Sequence, residues 1–185
     1  MIIRNSITIS LDSINTQKST GHQLMISGLR ILLVADLNPY SKGLGRARAL
    51  HDLNVQTTVL SHTSIGGTDE GFSSISTLDR ILWKLGIQKD TTHINHRLID
   101  TAKKLAPHIV WIEKGNMIKP STLRELRRII PDAALVSYSE DDMFLAHNRS
   151  RAYLKDLPYY DCVLTTKAPN VDAGELPALG ARRVI

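Results

Sequence analysis

Three consecutive acids, Glu140, Asp141 and Asp142, follow Ser139 directly after an apolar run that ends at Tyr138. Carboxylates this close repel one another, which can raise one pKa and leave a general base able to deprotonate a hydroxyl. The same residues could also hydrogen-bond substrate hydroxyls, hold a hard cation or cap a following helix. Asp141 and Asp142 are the catalytic candidates, with Glu140 as a binding residue beside them. A second group is the segment from Asp36 to Gly45, Asp-Leu-Asn-Pro-Tyr-Ser-Lys-Gly-Leu-Gly. If a strand precedes it and a helix follows, its amides face anything bound over the helix amino terminus. Asn38 and Lys42 would then contact a ligand, and Gly43 and Gly45 would let it approach closely. The third is Lys114-Gly115, after Trp111-Ile112-Glu113. A lysine at a sheet edge can meet a phosphate, a carboxylate or a neighbouring acid, although a surface lysine beside a turn glycine looks the same in sequence.

Several familiar chemistries are missing. A dinucleotide fingerprint started at Gly43 would need its third glycine where Arg48 stands, and His62 rather than an acid follows the second apolar strand run. No Gly-Lys-Ser/Thr and no Gly-x-Ser-x-Gly occurs, so neither a Walker loop nor a hydrolase elbow is present. The single cysteine, Cys162, excludes an internal disulfide and a cysteine-based metal site, and it reads as a small buried hydrophobe. His93 and His96 lie three apart near a helix start but lack a nearby acid partner in zinc spacing. We expect no metal and no cofactor.

The elements that must position these groups alternate short β-type runs with helical patterns. The strands are expected at Leu29 to Ala35, Val55 to Ser61, His108 to Glu113, Ala133 to Tyr138 and Asp161 to Thr165, with a sixth beginning at Arg182. Their near-continuous Ile, Leu and Val predict strands buried on both faces. Helices are expected at Gly43 to Leu53, from Ser76 to Gly86 with Leu78, Ile81, Leu82 and Leu85 marking it, at Ile94 to Leu105, at Pro120 to Ile130, and at Phe144 to Leu157. The fold class is therefore α/β, a parallel Rossmann-like sheet with helices on both faces. In such sheets ligands gather outside the carboxyl ends of the strands, where all three candidate groups fall. The Gly-rich stretch from His62 to Ser74 is expected to be a mobile loop.

At 185 residues the chain suits one domain with a real core. Residues 1–28 lack sustained periodicity and read as a poorly ordered extension, or the start is Met25; residues 29–185 form the domain. The hydrophobic fraction of 42% argues against disorder. The net charge of +5 is spread along the chain in pairs such as Arg46/Arg48 that read as solvated faces, without the aromatic-interleaved stripe of a nucleic-acid binder. No apolar run is long enough to span a membrane. A cytoplasmic location is the expectation, with no nucleic-acid partner.

In this order, the strand into Lys114-Gly115, the helix opening Pro120-Ser121-Thr122-Leu123, the strand into Glu140-Asp141-Asp142, Ser150, the strand Tyr160 to Thr165 and Leu179-Gly180-Ala181 resemble the amino-terminal domain of CgeB-like glycosyltransferases. That group shares the two-lobed GT-B fold, and the resemblance covers roughly Leu29 to Val184. It implies one lobe of a GT-B architecture, the acceptor side of a sugar transferase, inactive alone. A nucleotide-sugar donor would bind only with a missing second lobe, and the acceptor is unknown. Asp141 or Asp142 would then orient or deprotonate an acceptor hydroxyl. The competing reading is a non-catalytic α/β binding or regulatory module. A receiver domain of the response-regulator type is its most specific version, which needs a phosphorylatable Asp at the end of the third strand, where Glu113-Lys114 stands.

Overall fold

The computed structural model describes residues 28–63 and 77–185. The expected extension at 1–28 lies almost wholly outside the described residues, as do most of the expected loop His62 to Ser74 and the Ser76 helix start.

Five parallel strands form one sheet in the order β2-β1-β3-β4-β5, namely β1 Arg30–Ala35, β2 Gln56–Ser61, β3 Ile109–Glu113, β4 Ala134–Ser139 and β5 Cys162–Thr165. All five sit within a residue of where the apolar runs predict them. Leu32, Leu33, Val34 and Ala35 are fully enclosed, because β1 lies inside the sheet with helices on both faces. Leu33, Ala35 and Val59 meet Ala47 of helix α1 (Lys42–Asp52) on one face. Leu32, Val34, Val110, Ile112 and Leu135 meet Leu98 of α3 (Ile94–Leu105) and Leu123 and Leu126 of α4 (Pro120–Ile129) on the other.

Local sequence explains where the helices start. Ser41 caps α1, its hydroxyl accepting from Leu44 N at 3.1 Å, so the helix begins one residue earlier than the apolar pattern suggests. Asp90 accepts from Ile94 N at 2.7 Å and Asn95 N at 3.0 Å, capping α3 from outside it. Pro120 occupies the first position of α4, where its missing N–H costs nothing.

Two expectations are corrected, for the Phe144 helix and the sixth strand, and the helix before Gly86 is found where it was expected. The helix foreseen over Phe144 to Leu157 is only α5, Arg151–Asp156. Asp142 Oδ1 takes Phe144 N at 3.0 Å and holds a turn there, and Ser150 starts the helix by accepting from Tyr153 N at 2.9 Å. Helix α2, Thr77–Lys84, carries the foreseen apolar residues, but none is buried, and Leu78, Ile81 and the following Leu85 face outward. Periodicity reveals an apolar stripe without saying that anything covers it. The sixth strand is reduced to a single parallel bridge between Val184 and Val163, at the outer edge of β5.

Candidate functional site

In the order 2-1-3-4-5 the connections from β1 and β3 leave on opposite sides, and the crevice between their carboxyl ends is the natural ligand position. A cavity of about 280 Å³ opens there, with Asp36, Lys42, Arg46, Glu113, Lys114 and Glu140 among its lining residues. Each comes from the end of a strand or the first turns of α1, so the sheet order alone brings them together.

Arg46 is the centre of this group. It sits one turn into α1 and reaches across to β3 and β4, where its Nε bonds Glu113 Oε1, its Nη2 lies 3.1 Å from Glu113 Oε2 and its Nη1 lies 2.8 Å from Glu140 Oε1. The guanidinium also lies 4.5 Å from the centroid of the Tyr138 ring, which packs against Trp111 at 5.8 Å. Burial works against the Arg46 charge, but the bonds to Glu113 and Glu140 outweigh it and hold its pKa above the ordinary value. Sequence treats Arg46 and Arg48 alike, as solvated face; only Arg48 is exposed. The signal available was the spacing of Arg46, three after Gly43 and one before Ala47, which are the two buried residues of α1.

Glu140 is drawn in the direction opposite to mutual carboxylate repulsion. Its hydrogen bond from Lys42, then those from Arg46 and Tyr138, outweigh burial and bring its pKa down to about 2. An acid this stable as an anion is a poor proton acceptor, which suits the reading of Glu140 as a binding residue beside the two catalytic candidates. Asp141 pairs with Lys114, Nζ to Oδ2 at 2.7 Å, and its backbone N–H donates to Ser139 Oγ at 3.0 Å. Asp142 is turned away to its own turn, accepting from Phe144 N.

Lys114 reaches Asp141 because its backbone adopts φ +58°, followed by Gly115 at φ +64°. A left-handed lysine is uncommon and persists only when its surroundings impose it. Its N–H donates to Tyr138 O at 2.8 Å, and Asn116 fixes the next residues by accepting from Ser150 N at 2.8 Å and donating to Asn148 O at 3.0 Å. Buried Asn170 does the same for the acidic turn, accepting from Met143 N and donating to Asp141 O, both at 2.9 Å.

The first loop is bound to itself. Asp36 Oδ1 accepts from Asn38 N, Asn38 Nδ2 and Thr63 Oγ1, at 3.0, 2.8 and 2.6 Å. Burial opposes its charge, yet the Thr63 and Asn38 bonds win and hold Asp36 below the usual carboxylate range. Asn38 is thus committed to shaping the loop. Gly43 is buried, and a Cβ there would run into Asp36 O and come within 2.8 Å of Ala35 Cβ and 3.0 Å of Glu113 Oε2. It serves the close packing of α1 on the strand ends. Gly45 has open space around it, so no contact of the described residues requires a glycine there.

His62, at the end of β2, is largely enclosed, and burial lowers its pKa against the pull of Asp36 and Glu113. Cys162 is half-buried, less enclosed than expected, and burial raises its thiol. No cluster of metal-ligating side chains occurs among the described residues, and none of the described helices is long and apolar enough to cross a membrane.

No family model matches the chain, and no curated protein does. A solved two-component response regulator of the LuxR family, from Aurantimonas sp. SI85-9A1, is similar over 84% of this chain and 88% of its own, at 14% identity and a TM-score of 0.41. At that identity and TM-score the likeness carries no role over to this chain. The comparisons return a response regulator and no glycosyltransferase, and the CgeB-like assignment is corrected accordingly. The acceptor-side transferase function falls with it, as does the partner set of nucleotide-sugar donor, unknown acceptor and excluded nucleic acid.

Proposed function

We propose that this chain is a non-catalytic α/β binding or regulatory module that takes a small polar ligand at the β1/β3 switch point. One observation carries the reading: the acids lining the crevice, Asp36, Glu113, Glu140 and Asp141, are each engaged by Thr63, Arg46, Lys42 or Lys114. A general base or a nucleophile needs a free lone pair facing its substrate. Acids engaged by internal cations, or in the case of Asp36 by hydrogen bonds, instead set the shape and charge of a receptor surface.

Lys42 and Lys114 are the exposed cations of the crevice, and an anionic ligand would compete with Glu140 and Asp141 for them. Asn38, Gly43, Gly45 and Gly115 serve in this proposal as framework rather than contacts. The receiver-type version lacks its phosphoacceptor, because the end of β3 is Glu113, held by Arg46. Regulation here works through binding and not through phosphoryl transfer. A cytoplasmic location belongs to the same proposal.

The test uses the full chain. Incubated with acetyl phosphate, it is expected to show no phosphoryl adduct by intact mass, whereas amide shifts on titration with inorganic phosphate are expected around Lys42, Arg46 and Lys114. A stable acyl-phosphate on Glu113 would overturn the non-catalytic reading, and shifts scattered over the surface would overturn the site.

A further inference from the structure

A second polar group lies beneath the Lys114–Gly115 turn, on the α4 side of the sheet. Asp156 on α5 is completely enclosed, and neither carboxyl oxygen has a hydrogen-bond partner among the described residues. The hydroxyls of Tyr153 on α5, Tyr160 after it and Ser137 on β4 are likewise enclosed; Tyr153 and Ser137 face each other, and the Tyr160 hydroxyl has no partner among the described residues. The Tyr160 hydroxyl sits so close under Gly115 that a Cβ there would come within 3.0 Å of it, and within 3.9 Å of Tyr153 Cδ2. The tyrosines therefore form the floor of the turn that carries Lys114 to Asp141.

A carboxylate shut away from water without a cation is far more costly than the neutral acid. The groups that act on Asp156 from α5 and the residues after it are the two tyrosine hydroxyls, both uncharged at neutral pH. From β4 the Ser137 hydroxyl meets that of Tyr153. Arg149, preceding α5, acts on Tyr153, and Arg127 of α4 is committed to Asp161 at 2.6 Å. With no cation acting on it among the described residues, burial pushes the Asp156 carboxyl up to about 8, and burial likewise raises Tyr153 to about 12.

We propose that Asp156, Tyr153, Tyr160 and Ser137 form a proton-dependent latch beneath the Lys114–Gly115 turn, which stays seated while Asp156 carries its proton and loosens when the proton is lost. The neutral carboxyl tolerates enclosure and offers an O–H to the cluster. The charged form is drawn to water, which unseats α5, removes the floor under Gly115 and frees Lys114 from Asp141. The latch acts whatever ligand the crevice takes, because it rests on the turn alone.

The sign follows from a folded pKa raised above the unfolded one. The native state then binds the extra proton, so the contribution is complete below the unfolded value of 3.8, falls as pH rises, and is gone above about 8. Thermal unfolding of the full chain is compared with Asp156→Asn from about pH 5 to about pH 9. The wild-type midpoint is expected to fall against that of the Asn variant across this range, and a constant difference would overturn the latch. Should the variant fail to fold, a carbon-detected NMR titration of the wild-type Asp156 carboxyl decides: a midpoint near 8 supports the proposal and one near 3.8 overturns it. Amide exchange at residues 114–118, corrected for its intrinsic pH dependence, is expected to lose about tenfold in protection over the same range in the wild type. Unchanged protection there would break the link between Asp156 and the turn.

Discussion

The guanidinium of Arg46 holds the carboxylate of Glu113 with two nitrogens, Nε and Nη2, although 67 positions separate them in the chain. Glu113 is only 6% exposed, and its burial is tolerable because a planar, bidentate cation meets it. The pair also joins α1 to the end of β3, across the mouth of the switch-point crevice.

Arg46→Met is therefore expected to destabilise the chain by about 2–4 kcal/mol, since it strands a buried charge. Adding Glu113→Gln should recover part of that loss, because a neutral amide is easier to enclose than an unpaired carboxylate. Urea unfolding of both variants checks this; a double variant no more stable than Arg46→Met would count against the ion pair as the cause.

The two glycines of α1 should respond with opposite signs. At Gly43 an added methyl meets the Asp36 carbonyl and the Ala35 side chain, so Gly43→Ala is expected to cost about 1–3 kcal/mol as the helix is pushed off the strand ends. Around Gly45 space is open, and Gly45→Ala is expected to stabilise by up to about 1 kcal/mol through better helix propensity. Thermal midpoints of the two single variants measure the contrast.

Glu140 supplies an acid-side dependence. Its folded pKa, about 2, lies below the ordinary 4.5, so the stability it brings is present above 4.5 and is lost as pH falls toward 2. Replacing it with Gln should flatten the acid limb of the stability profile and leave the limb above pH 4.5 unchanged in slope. Circular dichroism melts over the acid range read the effect.

Asp141 and Asp142 are adjacent in sequence and separate in consequence. Asp141→Asn weakens a largely solvated pair with Lys114 and is expected to change stability by less than about 1 kcal/mol, while altering any anion affinity of the crevice. Asp142→Ala removes the acceptor for Phe144 N and should cost about 0.5–2 kcal/mol with ligand binding intact. Phosphate titration followed by NMR, alongside unfolding, separates the two.

Some of this was legible in the residues alone. The run Ile31-Leu32-Leu33-Val34 announces a strand enclosed on both faces, because only burial on both sides removes the alternation of a half-exposed strand. Pro120 marks the start of α4 because a proline at the first helical position is settled locally, whereas Ser41 and Ser150 cap α1 and α5 at starts that the pattern placed at Gly43 and Phe144. The acidic turn, Lys114 and the loop after β1 were placed at one sheet edge, since parallel strands must all end on the same side.

What tertiary structure decided lies at long range. Whether a charge faces water or another charge depends on what the fold brings opposite it: Arg46 and Arg48 look equivalent in sequence, yet only Arg46 faces Glu113 and Glu140. The same holds for crowded acids, where repulsion is local but Lys42, almost a hundred residues away, reverses its sign at Glu140. The stripe on α2 fixes a helix without fixing a neighbour, and Asp156 reads as an ordinary helix-end acid until α5 is folded over the sheet. Periodicity and caps are written in neighbouring residues, whereas desolvation and ion pairing are set by atoms that the chain brings together only when it folds.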